Sequence, residues 1–156
     1  MRVGYLSPTN LFIPSGAKNI VTSIQEPCRV ALLIFICANK NLYPPTSTLA
    51  RALTAQLKHS FCTAGMEILT LWVAAQDALI WILCLGAHIS KGLEQRHWFV
   101  LWLARTMSLR EIYGWDNLKI LLLKFFYLDS AYLRSLTEVW DEAHLVMNAN
   151  PDTRLS

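Results

Sequence analysis

Cys84 and His88 stand four residues apart, a spacing that places both side chains on one face of a helix. A thiol and an imidazole in that register have two uses: together they ligate a metal, or the imidazole activates the thiol as a nucleophile. A structural zinc site needs two further ligands, and Cys62 and His97 belong to other segments that only the tertiary fold could bring near. Cys28, Cys37, Cys62 and Cys84 form no C-x-x-C pair and lie among apolar residues, which reads as reduced, buried thiols and not as a disulfide framework. Core packing is therefore the expectation for Cys84 and His88. The rival reading is a small enzyme built on them, for which the thiol must be reachable by solvent.

The other chemistry-bearing residues are expected at the surface or in the core. His59 and His144 fall on polar faces of amphipathic stretches, and His97 follows Arg96 in an expected connection. Glu138, Asp141 and Glu142 cluster on one helix, where carboxylates are expected to be solvated charge. Trp72, Trp81 and Trp140 sit among aliphatic residues without interleaved Arg or Lys, so burial is expected over stacking on nucleic-acid bases. No GxSxG, HExxH, P-loop or GxGxxG motif occurs. The expectation is a non-enzymatic chain with no catalytic, cofactor-binding or metal-binding residues and no cofactor.

These residues are embedded in an apolar chain: of 156 residues 54% are hydrophobic and only 16% charged, against about 25% charged in ordinary soluble domains. Such a composition fits either a membrane protein or a segment of a larger helical body whose apolar faces are covered by neighbours. The most apolar stretch, 66–89, is interrupted by Glu67, Gln76 and Asp77, which leaves 78–89 as a clean run. A spanning helix needs about 20 apolar residues, and an ionised Asp77 inside the span would cost about 3 kcal/mol. A membrane-associated helical protein using 66–89 is accordingly the alternative reading and not the leading one. The first sixteen residues hold no continuous apolar core of signal-peptide type, being broken by Ser7, Pro8, Thr9 and Asn10. The net charge of +3 comes from scattered Lys and Arg without a concentrated basic run, so direct DNA contact is not predicted.

Hydrophobic periodicity predicts an all-α, irregular multi-helix bundle of about six helices, part of a larger helical domain. Residues 1–24, rich in Pro, Gly, Ser and Thr, read as a lead-in or loop, 25–148 as the helical domain, and 149–156 as a C-terminal tail. The first helix is expected from Gln25 to near Asn41, with Glu26 and Pro27 in its first turn. Pro44 and Pro45 then stop it, and Thr46, Ser47 and Thr48 offer caps to a second helix. That helix should line one face with Leu49, Leu53, Leu57 and Phe61 and turn Arg51, Thr54, Lys58 and His59 to the other. A third region, 66–90, breaks near Gln76 and Asp77 and should hold the most buried element in its second half. A helix around Trp98–Ala104, a turn at Gly114, a helix over 117–128 and caps at Asp129 and Ser130 follow. In the closing helix Leu133, Leu136, Trp140, Ala143 and Met147 form one stripe.

The order of these features resembles the fungal-specific transcription factor domain found C-terminal to zinc binuclear cluster DNA-binding modules. The likeness covers residues 25–147. It is carried by EPCRVALLIFICANKNLYPPTSTLARALTAQL from Glu26, LIWILCLGAHIS from Leu79, HWFVLWLART from His97, LREIYGWDNLKILLLKFFYLDS from Leu109 and TEVWDEA from Thr137. The resemblance implies the regulatory portion of such a factor: nuclear (with the cytoplasm as the other compartment), non-catalytic, acting through protein contacts, self-association of apolar helix faces or an unspecified small effector. Nothing in residues 1–60 matches the Cys-rich zinc cluster of that family.

Overall fold

Residues 78–89 carry apolar side chains around nearly the whole helical circumference, and a helix of that kind has to be enclosed on all sides. The computed structural model, which describes residues 15–39, 47–62, 68–125 and 130–149, shows how this is done. Seven helices and no strand occur among the described residues: α1 (Ser15–Asn39), α2 (Thr48–Cys62), the single turn α3 (Ile68–Leu71), α4 (Gln76–Ile89), α5 (Arg96–Leu109), α6 (Trp115–Leu123) and α7 (Ser130–Ala149). The architecture is an all-α multi-helix bundle. Helix α4 runs through its centre, packed most extensively on α5 and also on α1, α2 and α7, while α5 packs on α7 and α1 on α2.

Two features, the start of α1 and the left-handed turn residue before α6, depart from the sequence expectation, while the break expected near Gln76 and Asp77 is found. Helix α1 begins at Ser15, so residues 15–24 are helical and do not belong to a loop, and Pro27 lies inside the helix. Proline has no N–H to donate to the carbonyl of Ser23, the reason it reads as a helix start. The helix nevertheless runs through it, because Ile24 and Cys28 on either side of Pro27 both pack against the core. The region 66–90 breaks just before Gln76: α3 ends at Leu71, and a turn through Trp72–Ala75 leads into α4. The left-handed residue between α5 and α6 is Glu111 (φ 56°), whereas Gly114 is extended (φ −128°) and precedes α6 as its N-cap. Residues 1–14, Pro44, Pro45, Thr46 and Asp129, the side chain of Ser130, and 150–156 lie outside the described residues.

Local signals explain the ends that the sequence did announce. Ser47 caps α2, its Oγ accepting the N–H of Ala50 at 3.2 Å. On α2 the buried face is Ala50, Leu53, Thr54, Leu57 and Phe61. Leu49 is exposed and Thr54 is not, reversing two expected positions, because the stripe is rotated by one residue. The closing helix buries Leu136, Trp140, Ala143 and Met147 of the expected stripe, with Leu133 half-buried against the core and Val139 buried beside them. Trp72, Trp81 and Trp140 are buried too. Phe61 lies between Trp72 (5.9 Å between ring centroids) and Trp98 (5.8 Å), and Trp81 stacks on Phe125 at 5.7 Å, separations that suit the ring quadrupoles.

At Gly86 a side chain has no room: an added Cβ would lie 2.5 Å from two ring carbons of Phe99. The missing side chain is what lets α5 approach α4 this closely.

Candidate functional site

Helix α4 carries Cys84 and His88 as the spacing predicts but gives them different surroundings. Cys84 is 1% exposed, and burial pushes its thiol far above the ordinary thiol range, so it stays neutral and out of reach. His88, half-buried near the end of the helix, turns to α7: its Nδ1 lies 2.6 Å from Ser135 Oγ and its ring meets Tyr132 edge-on at 4.6 Å. Cys84 is thus packed in the core as expected, while His88 forms a hydrogen bond with Ser135, 47 residues away, a partner that no local pattern announces. Cys62 and His97 are both exposed on separate helices. Among the described residues no group of three His, Cys, Asp or Glu side chains is placed to hold a metal ion.

Around His88 runs a polar seam that joins the ends of α4 and α5 to α7. Arg96, in the first turn of α5, is only 13% exposed; its Nε and Nη2 donate to the Glu142 carboxylate at 3.0 and 2.7 Å while its Nη1 donates to the Ala87 carbonyl at 2.7 Å. The Ala87 carbonyl belongs to the last turn of α4, where carbonyls lack helical partners, and it also accepts Ser90 Oγ at 3.2 Å. Lys91 donates to Glu138 at 2.8 Å. That hydrogen bond and its charge hold the Glu138 carboxyl below the usual carboxylate range. Of the three clustered carboxylates, Glu138 and Asp141 are exposed as expected and Glu142 is half-buried; Glu138 and Glu142 bind cations from the α4–α5 connection and the first turn of α5. His144 leans on Trp140 with ring centroids 5.3 Å apart. The fork of Arg96 matches a carboxylate in bidentate geometry, so the seam has the form of a clamp between helices.

Concavities among the described residues lie away from this seam. A cleft of about 520 Å³ is lined by Ala55, Lys58, His59 and Cys62 from α2 and by Glu94 and Gln95 from the connection before α5. A smaller one of about 210 Å³ lies at the start of α4, lined by residues 73–77 and Arg110. Beside it Asp77 forms ion pairs with Arg110 and, at 3.6 Å, with Lys124. A polar interruption that argues against a membrane span thus serves as an ion-pair centre in the first turn of α4, where negative charge is favoured by the helix dipole.

The remaining feature is apolar. Leu32, Leu33 and Ile36 are exposed at three- and four-residue spacing on the outer side of α1, and Leu49 of α2 is exposed as well. Ile120 and Leu123 do the same on α6. No described helix is long and apolar enough to cross a membrane. No protein-family model, curated protein or solved structure matches the chain.

Proposed function

We propose that this chain is a non-catalytic interaction module of the regulatory kind, of the type its motifs resemble in fungal transcription factors. It would act in the nucleus through protein contacts and without reading DNA itself. The observation that carries the reading is the outward stripe of α1: Leu32, Leu33 and Ile36 sit on one side of a long helix whose other side is already committed to the core. Apolar side chains three and four residues apart on a fixed helix, as Leu33–Ile36 and Leu32–Ile36 are, are the elements of helix-to-helix recognition, and grouped exposure of this kind marks association surfaces. The burial of Cys84 adds support, since it removes the nucleophile that the enzyme reading requires.

The test is a fusion of the full chain to a heterologous DNA-binding module in a fungal reporter strain, with sedimentation of the purified chain in parallel. A regulatory module changes reporter output relative to the DNA-binding module alone. Leu32→Glu combined with Ile36→Glu abolishes that change while leaving the helical circular dichroism intact. Reporter output indifferent to both the fusion and the double substitution overturns the reading. Sedimentation then assigns the contact: a dimer that the double substitution turns into a monomer identifies self-association, and a monomer in both cases identifies a different protein as partner.

A further inference from the structure

The outward stripe of α1 continues onto α2. The Glu26 carboxylate accepts Arg29 at 2.7 Å on its own helix and the Gln56 amide of α2, which fixes how the two helices lie. They pack on each other and are joined by the short connection 40–47, so they run antiparallel. Leu33 stands seven residues after Glu26 and Leu49 seven before Gln56, two turns and about 10 Å along each helix and on the same face. Leu33 and Leu49 are therefore neighbours across the line where the helices meet. With Leu32, Ile36 and Ala52 they make one exposed apolar face on a helical hairpin. Two helices side by side at about 8–10 Å double the width of the stripe, towards the about 800 Å² per partner of a standard interface. Among the described residues the charges on this face are Glu26 and Arg29, which neutralise each other; Arg51, two residues beyond Leu49, falls on the other flank of α2. A face without net charge gives an acidic or a basic partner nothing to pair with. A two-fold axis sets the charges of a face against their own kind, so neutrality is also the condition for pairing with a copy.

We propose that the α1–α2 face is the contact of a two-fold homodimer, in which a second copy of this chain covers Leu32, Leu33, Ile36 and Leu49. Such a dimer rests on the α1 stripe being an association surface, as proposed above, and supplies its occupant. The axis passes beside Leu33, in the middle of the apolar group. The ridge formed by Leu32 and Ile36, four residues apart, then enters the matching groove of the copy at a crossing of about −50°. Crossed in this way, the hairpins bring their apolar centres together. Glu26, Arg29 and Gln56 are carried out to the rim, where their hydrogen bonds stay in water.

Sedimentation of the full chain over a range of concentrations tests this. The parent chain is expected to reach a dimer, and Leu33→Glu and Leu33→Lys each weaken it by at least about tenfold at unchanged helical circular dichroism. Mixing those two variants restores a dimer, because the axis sets the introduced carboxylate against the introduced ammonium. Ile120→Glu combined with Leu123→Glu, on the exposed side of α6, leaves the dimer unchanged. A parent chain that is monomeric throughout, a mixture that stays monomeric, or a dimer dispersed by the α6 pair and not by Leu33→Glu overturns the proposal. The reporter fusion keeps the two readings apart. Output that still depends on Leu32 and Ile36 in a monomeric chain removes the second copy and leaves the regulatory module, whereas a dimer without effect on the reporter does the reverse.

Discussion

The strings LIWILCLGA at 79–87 and VALLIFICA at 30–38 are nearly interchangeable as compositions, each with one aromatic residue and one cysteine among aliphatic side chains. In α4 every member of the first string is buried. In α1 only Val30, Ala31, Ile34 and Cys37 of the second are buried, and Leu32, Leu33 and Ile36 face outward. The difference comes from the neighbours. Helix α4 is ringed by α1, α2, α5 and α7, while α1 packs chiefly on α2 and α4. An apolar helix therefore announces how much surface it needs covered, and only the fold decides how much of that cover the chain supplies itself.

Truncation separates the two helices most sharply. Leu83→Ala in α4 is expected to cost about 3–4 kcal/mol, the transfer energy of the lost atoms plus the cavity they leave. Leu33→Ala in α1 is expected to stay within about 0.5 kcal/mol, because the side chain is already in contact with water. Urea unfolding measures both, and equal losses would break the comparison. Crowding sharpens it from the other direction. Gly86→Ala drives a methyl group into the Phe99 ring, whose carbons lie 2.5 Å from the new Cβ. Overpacking of that kind costs about 1–3 kcal/mol, and the better helix propensity of alanine returns up to about 1 kcal/mol of it. A net loss of about 1–2 kcal/mol is expected, and Phe99→Leu in the same chain should recover part of it. A stabilised Gly86→Ala variant would mean that α4 and α5 are farther apart than described.

The cysteines give the same contrast a pH axis. Burial raises the folded-state thiols of Cys84 and Cys28 above the ordinary value of 9.0, far for Cys84 and less for half-buried Cys28. A raised value stabilises the fold fully below the unfolded-state value, and that contribution is lost as pH rises above it, because the unfolded chain gives up a proton that the folded chain retains. Between pH 9 and 10 the Cys84 thiol should account for about 1 kcal/mol of lost stability. Cys84→Ala should flatten that stretch of the stability profile and Cys28→Ala should flatten it less, with urea midpoints across pH 8 to 10.5 as the readout. An unchanged slope in Cys84→Ala would place Cys84 in contact with solvent.

The helical class, the central place of α4 and the buried stripe of α7 were legible because each rests on periodicity within one element. Other features depend on contacts between elements and left little trace in the sequence. Pro27 carries the signal of a helix start, yet the packing of Ile24 and Cys28 takes α1 through it. Thr54 reads as polar and is buried, since the face of α2 is set by its neighbours and not by hydrophobicity alone. Cys84 and His88 share a helical face in the sequence, but the partner of His88 is Ser135, on a helix 47 residues away. Arg96 has no local mark of its double engagement with Glu142 and Ala87. The Cys62 cleft had half a signal: Lys58, His59 and Cys62 fall on neighbouring turns of one helix, and only the fold adds Glu94 and Gln95.

The smallest expected effect concerns how α5 ends. The N–H of Ile112 reaches back to the Met107 carbonyl at 2.9 Å and that of Glu111 to the Ser108 carbonyl at 3.1 Å, the paired bonds of a Schellman ending. Ile112 and Met107 are both buried, in line with the apolar contact that accompanies it. In such an ending the residue at Glu111 adopts a left-handed conformation, here φ 56°, where glycine is the usual occupant because it lacks a Cβ. The left-handed backbone costs an L residue about 1–2 kcal/mol, and glycine gives back part of the gain through its greater freedom in the unfolded chain. Glu111→Gly should therefore stabilise the protein by about 0.5–1 kcal/mol, read as a higher urea midpoint at unchanged slope. The effect belongs to the enclosed side of the molecule, since α5 is the main partner of α4, and no comparable gain is expected from Leu33→Gly in the middle of α1, where glycine weakens the helix by about 1 kcal/mol. A destabilised Glu111→Gly variant would show that the carboxylate makes a contact worth more than the strain.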